Sequence, residues 1–260
     1  MKKTTYIGPP IDRYHFEGLM NKGWIIEYAL EVFKRNPNVV ALLELDIGNR
    51  FQKVIVKNFG WRNNISILLS PWMRSRAQKS WDAAHWLLEA GVPVPKPLAV
   101  YTQRQAGFIV KNYLITEYIG KFQTARRILR NEVVELESKQ LIVSKMAEMI
   151  ARMHQANLIH HDLTKGNFLV KDDNYEKIYL VDLNRLERKS RLSISERMAD
   201  ITKINLCRCQ LIEAHDNCLW RFFLQHYDGH QFESNLKALK RAIYKNQLRR
   251  QVKQIKNVKG

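Results

Sequence analysis

The first half of the chain carries β-rich runs separated by turn residues. Residues 38–45 and 51–59 are rich in β-branched and other apolar side chains, which is typical of strands. They flank the stretch "DIGNR", in which Asp46, Gly48 and Asn49 favour a tight turn. These two runs therefore predict a β-hairpin.

A helical pattern follows the hairpin. Apolar residues recur at helical spacing from Ala77 to Leu88, Ser75 is a suitable N-cap, and Gly91 is a suitable terminator just before the breaker "PVPKP". Beyond the breaker, "PLAVY" and "YLITEYI" have the composition of two more strands. The first half is thus predicted to be strands around one helix.

The second half is predicted to be mostly helical. Residues 138–155 have apolar positions at helical spacing, "NFLV" and "KIYLV" predict two short strands, and the helical pattern returns after about Ser193. The last 25 residues, 236–260, contain no acid and predict a basic amphipathic helix. The apolar residues expected near one face of this helix are Leu236, Leu239, Ile243, Leu248, Val252 and Ile255.

Composition indicates a folded protein. The chain has 260 residues, 45% hydrophobic and 26% charged, which suffices for two modest lobes or for one large domain with a real core. No apolar segment follows the N-terminal lysines, and no run approaches the roughly 18 apolar residues of a membrane span. We expect a cytoplasmic protein, with peripheral association at the inner membrane as an option.

Three cysteines, Cys207, Cys209 and Cys218, cluster in one region, which suits a reducing compartment. With His215 they offer the ligand types of a zinc site. A C-x-C pair inside a helix, however, points its thiols to different sides. We therefore expect buried free cysteines rather than a metal site.

The charge balance points to an anionic partner. Forty-three Lys and Arg residues against 25 Asp and Glu residues give a formal charge of +18. Such a field favours nucleic acid, nucleotides or an anionic membrane surface and disfavours cationic substrates.

Two motifs in the second half carry candidate chemistry. "HHDLTKGNFLV" begins at His160 and holds Asp162 and Asn167, and "YLVDLN" holds Asp182 at the end of a predicted strand. Asn167 and Asp182 offer the hard oxygen ligands that Mg²⁺ selects, which leaves Asp162 to orient and deprotonate a hydroxyl. This set fits the template for phosphoryl transfer.

The same motifs resemble those of protein kinases. "HHDLTKGN" is similar to the catalytic-loop pattern H-x-D-L-x-x-x-N, "VDLN" to the D-F-G motif, and "VIVK", which ends at Lys57, to the V-A-I-K strand. The resemblance implies an α+β, protein-kinase-like bilobal fold. We expect a small N-lobe with an antiparallel sheet and one helix over residues 1–118, and a mostly helical C-lobe over residues 119–260.

A narrower resemblance concerns the acceptor. No A-P-E follows Asp182, and His161 replaces the usual arginine, which disfavours a regulated protein kinase. "SRAQKSWDAAHWLLEAGVPVPKPLAV" resembles the bacterial lipopolysaccharide kinases that phosphorylate Kdo or heptose, and the likeness runs over about residues 40–185. It implies an ATP- and Mg²⁺-dependent kinase acting on a sugar hydroxyl of an anionic glycolipid at the cytoplasmic membrane face.

The resemblance also implies roles for individual residues. Asp162 is the expected base, Asn167 and Asp182 the Mg²⁺ ligands, and Lys57 the cation on the α and β phosphates of ATP, with Glu117 of the "ITEY" hinge at the nucleotide.

The pattern departs from protein kinases at the partner of Lys57. Ser80 stands where the helix glutamate belongs, and Asp82 or Glu89 would turn to other faces of the helix. Lys165 lies three residues after Asp162 instead of two, so it either reaches the nucleotide or faces solvent.

Three other functions stay open. A RIO-like atypical serine kinase of ribosome assembly shares a minimal kinase lobe and a basic surface that would bind RNA. A membrane-anchored pseudokinase would not need the retained lysine, base, asparagine and metal acid. An aminoglycoside-type phosphotransferase takes cationic substrates, which a charge of +18 disfavours. Nucleic acid is thus ranked behind an anionic glycolipid as partner.

Overall fold

A computed structural model describes residues 2–60, 69–172, 174–207, 209 and 218–258. Over these residues the protein is α+β and divides into two compact units. The first comprises Met1–Trp86, Val94–Gly120 and Asp182–Asn184, and the second comprises Leu87–Pro93, Lys121–Val181 and Arg185–Gly260.

A six-stranded antiparallel sheet forms the frame of the first unit. Its spatial order is β1-β5-β6-β4-β3-β2. The strands are β1 (Lys2–Ile7), β2 (Glu31–Lys34), β3 (Val39–Asp46), β4 (Phe51–Asn58), β5 (Pro97–Gln105) and β6 (Phe108–Glu117).

The predicted hairpin is confirmed as β3 and β4, which pair from Val39 with Asn58 to Asp46 with Phe51. Alternate residues of the central strands face a core that includes Leu43, Val54 and Ile115. Burial of these β-branched and apolar side chains stabilises the sheet and fixes its register, since a shift by one residue would expose them.

The predicted long helix is confirmed as α3 (Arg76–Glu89). Ser75 Oγ accepts a hydrogen bond from the backbone N–H of Gln78 at 3.0 Å, and Gly91 adopts a left-handed φ of 68° after the helix. Two short helices, α1 (Arg13–Gly18) and α2 (Lys22–Glu27), were not predicted from the sequence.

Helices dominate the second unit, as predicted. They are α4 (Ala125–Arg130), α5 (Leu136–Gln155), α6 (Ile194–Ile201), α7 (Leu219–Asp228) and α8 (Phe232–Val258). α5 packs against α7, and the buried side chains Met146, Ile150, Trp220 and Phe223 contribute to this core. Burial of the apolar face of α5 is the main reason why its sequence holds a helix of this length.

Two small antiparallel sheets complete the second unit. β10 (Asn174–Leu180), β9 (Phe168–Lys171) and β7 (Phe122–Thr124) form one sheet in that order, and β11 (Glu187–Arg188) pairs with β8 (Leu158–Ile159) in the other. The β9–β10 hairpin corresponds to the predicted strands "NFLV" and "KIYLV". It connects the two sequence motifs, because β9 begins within the first and β10 ends within the second.

The prediction of a helix across the C-x-C pair, Cys207 and Cys209, is wrong. After α6 a short 3-10 turn, Thr202–Ile204, ends at Asn205, whose φ of 51° lies in the left-handed region that interrupts a helix. Among the described residues here, 205–207 and 209 are not helical, and α7 begins at Leu219.

The C-terminal helix is confirmed, but its single apolar face is wrong. At 100° per residue, positions 236, 239 and 243 lie almost opposite positions 248 and 252. Accordingly Leu236 and Leu239 are buried, whereas Leu248 is 43% and Val252 52% exposed. Among the described residues, no helix is both long enough and apolar enough to cross a membrane.

Candidate active site

The first sequence motif forms a loop organised around Asp162 and Asn167. The side-chain amide of Asn167 donates to the backbone carbonyl of Asp162 at 2.9 Å, and the hydroxyl of Thr164 donates to Oδ1 of Asn167 at 3.0 Å. These two bonds hold the amide of Asn167 in one orientation, with its nitrogen as the donor and its oxygen as the acceptor. The carboxylate of Asp162 is 37% exposed, so a solute can reach it.

The hairpin after the loop returns the chain to Asn167. Phe168 pairs with Leu180, and the backbone N–H of Val181 donates to the carbonyl of Asn167 at 2.8 Å. Asp182 is the next residue along the chain. Backbone pairing therefore brings the second motif back to the end of the first.

Asp200 on α6 holds the start of the loop. Its carboxylate accepts hydrogen bonds from the backbone N–H groups of His160 at 2.9 Å and His161 at 2.7 Å. His161 has a left-handed φ of 63°, a conformation that costs free energy in a residue with a side chain. The two hydrogen bonds from this stretch help to offset that cost.

The ionisation of Asp200 follows from its surroundings. Burial would raise the pKa of this carboxyl, but the hydrogen bond and charge of His154 and the N–H of His160 outweigh burial and hold the pKa below its ordinary value. His154 Nε2 lies 3.3 Å from Oδ2 of Asp200, and its Nδ1 lies 2.8 Å from the hydroxyl of Tyr227. Asp200 was not predicted from the sequence, although an acid on the buried side of a helix is a usable signal.

Two cations flank the carboxylate of Asp162. Lys203 Nζ lies 3.1 Å from Oδ1, and a guanidinium nitrogen of Arg185 lies 3.4 Å from Oδ2. Lys203 Nζ also donates to the backbone carbonyl of His161 at 2.8 Å. Neither cation was predicted from the sequence, because both lie outside the residues 160–170 that define the motif.

The side chain of Lys165, which the sequence allows either to reach the nucleotide or to face solvent, forms a hydrogen bond within the second unit. Its Nζ donates to the backbone carbonyl of Asn205 at 2.7 Å. Burial, with the nearby charges of Arg130 and Arg126, lowers the pKa of Lys165. His161, considered as an acceptor contact, places Nε2 2.9 Å from Oε2 of Glu187.

In the first unit, Lys57 pairs with Asp182. Nζ of Lys57 lies 2.7 Å from Oδ1 of Asp182, and the amide of Asn184 donates to the same oxygen at 2.6 Å. Asp182 has a left-handed φ of 65°, so the second motif has its strained residue at the acid, whereas the first has it at His161. Burial lowers the pKa of Lys57 more than the charge of Asp182 raises it.

The helix residues considered as partners of Lys57 have other surroundings in the structure. Ser80 is buried and donates to the carbonyl of Arg76 at 2.9 Å, Asp82 pairs with Arg74 at 2.7 Å, and Glu89 is exposed. Asp182 thus stands as the acidic partner of Lys57 in the part of the chain that is described.

Glu117 ends β6, whose neighbour β4 carries Lys57. Its carboxylate accepts a hydrogen bond from the backbone N–H of Lys96 at 2.8 Å, and its own N–H donates to the carbonyl of Lys96 at 2.9 Å. The side chain of Glu117 is therefore committed to bracing β5 and β6.

Two of the residues singled out by the sequence carry oxygen donors that suit a hard cation. Asn167 contributes an amide oxygen and Asp182 a carboxylate, both of the class that Mg²⁺ prefers. The roles expected for Asp162, Asn167, Asp182 and Lys57, namely a base, two oxygen ligands and a phosphate-binding cation, agree with their residue types and stay a prediction.

Comparisons with known proteins agree with this chemistry. A 3-deoxy-D-manno-octulosonic acid kinase of Vibrio vulnificus (strain YJ016) is 29% identical over 154 residues, 59% of this chain and 59% of that protein. A protein of the same name from Haemophilus influenzae (strain 86-028NP) is 30% identical over 106 residues, 40% of this chain and 42% of its own. The chain thus spans less than two thirds of the length of these curated relatives.

A solved structure described as WaaP in complex with acyl carrier protein matches the fold with a TM-score of 0.57 at 17% identity, over 92% of this chain and 99% of the other. The family model described as "Lipopolysaccharide kinase (Kdo/WaaP) family" matches residues 64–227. Because that match covers more than half of the sequence, the chain belongs to the Kdo/WaaP lipopolysaccharide kinase family.

Proposed function

We propose that the protein is an ATP-dependent kinase that phosphorylates a sugar hydroxyl, of Kdo or heptose, in the inner core of lipopolysaccharide. The observation that carries the proposal is the loop of Asp162 and Asn167, in which the amide of Asn167 is hydrogen-bonded to the backbone of Asp162 at 2.9 Å. Family membership supports the same reaction. In our proposal the two structural units act as the lobes expected for residues 1–118 and 119–260.

In this proposal Asp162 accepts the proton of the sugar hydroxyl. As the hydroxyl oxygen forms its bond to the γ-phosphorus, the bond from that phosphorus to the bridging oxygen breaks and ADP leaves. The exposed carboxylate suits an incoming hydroxyl, and Lys203 and Arg185 hold it by its two oxygens. These cations would also face the negative charge of the phosphoryl group.

Asn167 and Asp182 would hold Mg²⁺, which supplies charge neutralisation on the phosphates of ATP. Lys57 would bind the α and β phosphates, and exchange its contact with Asp182 for phosphate oxygens. Since the carboxylate of Glu117 is occupied by Lys96, we propose that Glu117 contributes to the nucleotide site through its backbone and through the position of its strand.

An anionic acceptor fits the charge of the chain. A Kdo sugar carries a carboxylate and its lipid anchor carries phosphates, whereas the chain carries +18. The exposed side of α8 adds Leu248 and Val252 beside the exposed cations Arg241, Lys245 and Arg249. We propose that this side of α8 rests on an anionic cytoplasmic leaflet.

The test is a reaction with purified full-length chain, ATP, Mg²⁺ and two acceptors, one ending in Kdo and one extended with heptose. Mass spectrometry should find one added phosphate, about 80 Da, on one acceptor and thereby settle the sugar. Asp162→Asn should abolish this product, whereas Asp172→Asn, an exposed acid in the turn after β9, should not.

Full turnover by Asp162→Asn would overturn the assignment of the base. Lack of any glycolipid product, combined with RNA binding that falls steeply with salt, would instead support the RIO-like alternative. ATP binding without turnover on any acceptor would support a pseudokinase.

A further inference from the structure

Three thiols converge in the second unit. The Sγ atoms of Cys207, Cys209 and Cys218 all lie within 4.8 Å of one another, and those of Cys209 and Cys218 are 3.6 Å apart. None of the three forms a disulfide. Cys218 is buried, and the other two are half-buried.

The local fold explains the convergence. Asn205 turns the chain through its left-handed φ of 51°, so that Cys207 and Cys209 follow in non-helical backbone whose side chains are not forced to opposite sides. Cys218 is the N-cap residue of α7, where the carbonyl oxygen accepts from the N–H of Arg221 at 3.0 Å. A turn and a helix start therefore present the three thiols to one point.

We propose that Cys207, Cys209 and Cys218 are three of the four ligands that a tetrahedral zinc ion takes. Zn–S bonds are about 2.3 Å, so tetrahedral coordination places two sulfurs about 3.8 Å apart. The 3.6 Å between Cys209 and Cys218 and the limit of 4.8 Å for all three pairs agree with that geometry. Binding requires thiolates, so the three thiols release their protons to solvent as the metal binds.

The chemistry of the donors selects the metal. Three soft sulfur ligands favour zinc over Mg²⁺ or Ca²⁺, which take oxygen ligands. His215, which the sequence would add as a ligand, lies outside the described residues and is not part of the proposed set.

The proposed ion would position residues that contact the first motif. Lys203, four residues before Cys207, donates to the carbonyl of His161 at 2.8 Å, and Lys165 donates to the carbonyl of Asn205 at 2.7 Å. Fastening Cys207 and Cys209 to the start of α7 would thus restrain the segment that carries Lys203. The inference does not depend on the identity of the acceptor sugar.

The test measures metal directly. Full-length protein is purified with a reductant and without a metal-affinity step. Inductively coupled plasma mass spectrometry should then find about one zinc ion per chain. Cys218→Ser and Cys209→Ser should lower that content to background. His226→Ala, which removes an exposed histidine on α7, should leave it unchanged and so controls for adventitious surface binding.

Cobalt gives a second readout that does not require a variant to fold. Apo protein titrated with Co²⁺ under reductant should develop thiolate-to-cobalt absorption in the near ultraviolet, and zinc should displace it at one equivalent. A chelator should lower the melting temperature of wild-type protein. The reason is that a metal which binds the folded chain and not the unfolded chain stabilises the folded state.

Two results would contradict the zinc proposal. Zinc at background in wild-type protein together with no thiolate–cobalt absorption would end the proposal. So would a Cys209–Cys218 disulfide, seen as a loss of about 2 Da, in reductant-free protein that still binds no metal when reduced, since the pair would then be a redox pair.

Discussion

Nζ of Lys57 lies 2.7 Å from Oδ1 of Asp182, so the strand lysine is held by the acid of the second motif and not by an acid of α3. Ser80, at the position of the usual helix glutamate, is buried against the backbone of its own helix. The side chain of Lys57 is thus oriented by the same residue that we assign to the metal. A variant at either position should disturb both roles.

Lys57→Met should abolish most phosphate binding by removing the cation while keeping side-chain length. We expect kcat/KM for ATP to fall by about 10²–10³-fold, as for other groups that stabilise transferring charge. The matched control is Lys53→Met, an exposed lysine four residues earlier on β4, which should stay within about twofold of wild type. Equal losses in both variants would show that the effect comes from the strand and not from the phosphate contact.

Asp200→Asn should destabilise the second unit by about 2 kcal/mol at neutral pH. The change weakens charge-assisted hydrogen bonds from the backbone of His160 and His161 inside a buried site. Urea denaturation of both proteins measures the difference. Asp172→Asn, an exposed acid, is the control and should change stability by less than about 0.5 kcal/mol.

The effect of Asp200→Asn should also depend on pH. The folded-state pKa of Asp200 is lowered, so its contribution is present above the ordinary value of 3.8 and is lost as the pH falls through the lower folded value. The stability difference between wild type and variant should therefore be constant from about pH 5 to 8 and shrink below about pH 4. A difference that grows on acidification would contradict this assignment.

The sequence predicts those parts of the fold in which residues close together along the chain determine the structure. The β3–β4 hairpin has turn residues between apolar runs, and α3 has both a cap at Ser75 and a terminator at Gly91. Local patterns suffice there because the interactions they encode are themselves local.

Long-range contacts account for most of what the sequence does not predict. Asp200 lies about 40 positions from the backbone groups it binds, and Lys203 is as far from Asp162, so no spacing rule connects them. The misplaced helix at Cys207 has a different cause. One residue, Asn205, leaves the right-handed region, and composition alone does not reveal where a helical pattern breaks.

Lys203→Met should slow turnover without removing substrate binding, since Lys203 contacts the carboxylate of Asp162 and the backbone of His161. We expect kcat to fall by about tenfold or more, with KM for ATP within about threefold. Lys203→Arg should recover part of the rate because it keeps the charge. Lys145→Met on α5 is the control. A rise in KM for ATP without a change in kcat in Lys203→Met would instead assign the lysine to ATP binding.

Leu248→Glu combined with Val252→Glu should detach the protein from anionic vesicles. Both side chains are about half exposed on α8, and two acids there remove apolar contact and oppose the neighbouring cations. Co-sedimentation with phosphatidylglycerol vesicles should fall by about tenfold or more, and wild-type binding should weaken with added salt. Val133→Glu, at a residue that is 88% exposed before α5, controls for added charge. Failure of the wild-type protein to bind anionic vesicles at low salt would exclude the membrane contact. An equal loss of vesicle binding in the control variant would assign the binding to net charge alone.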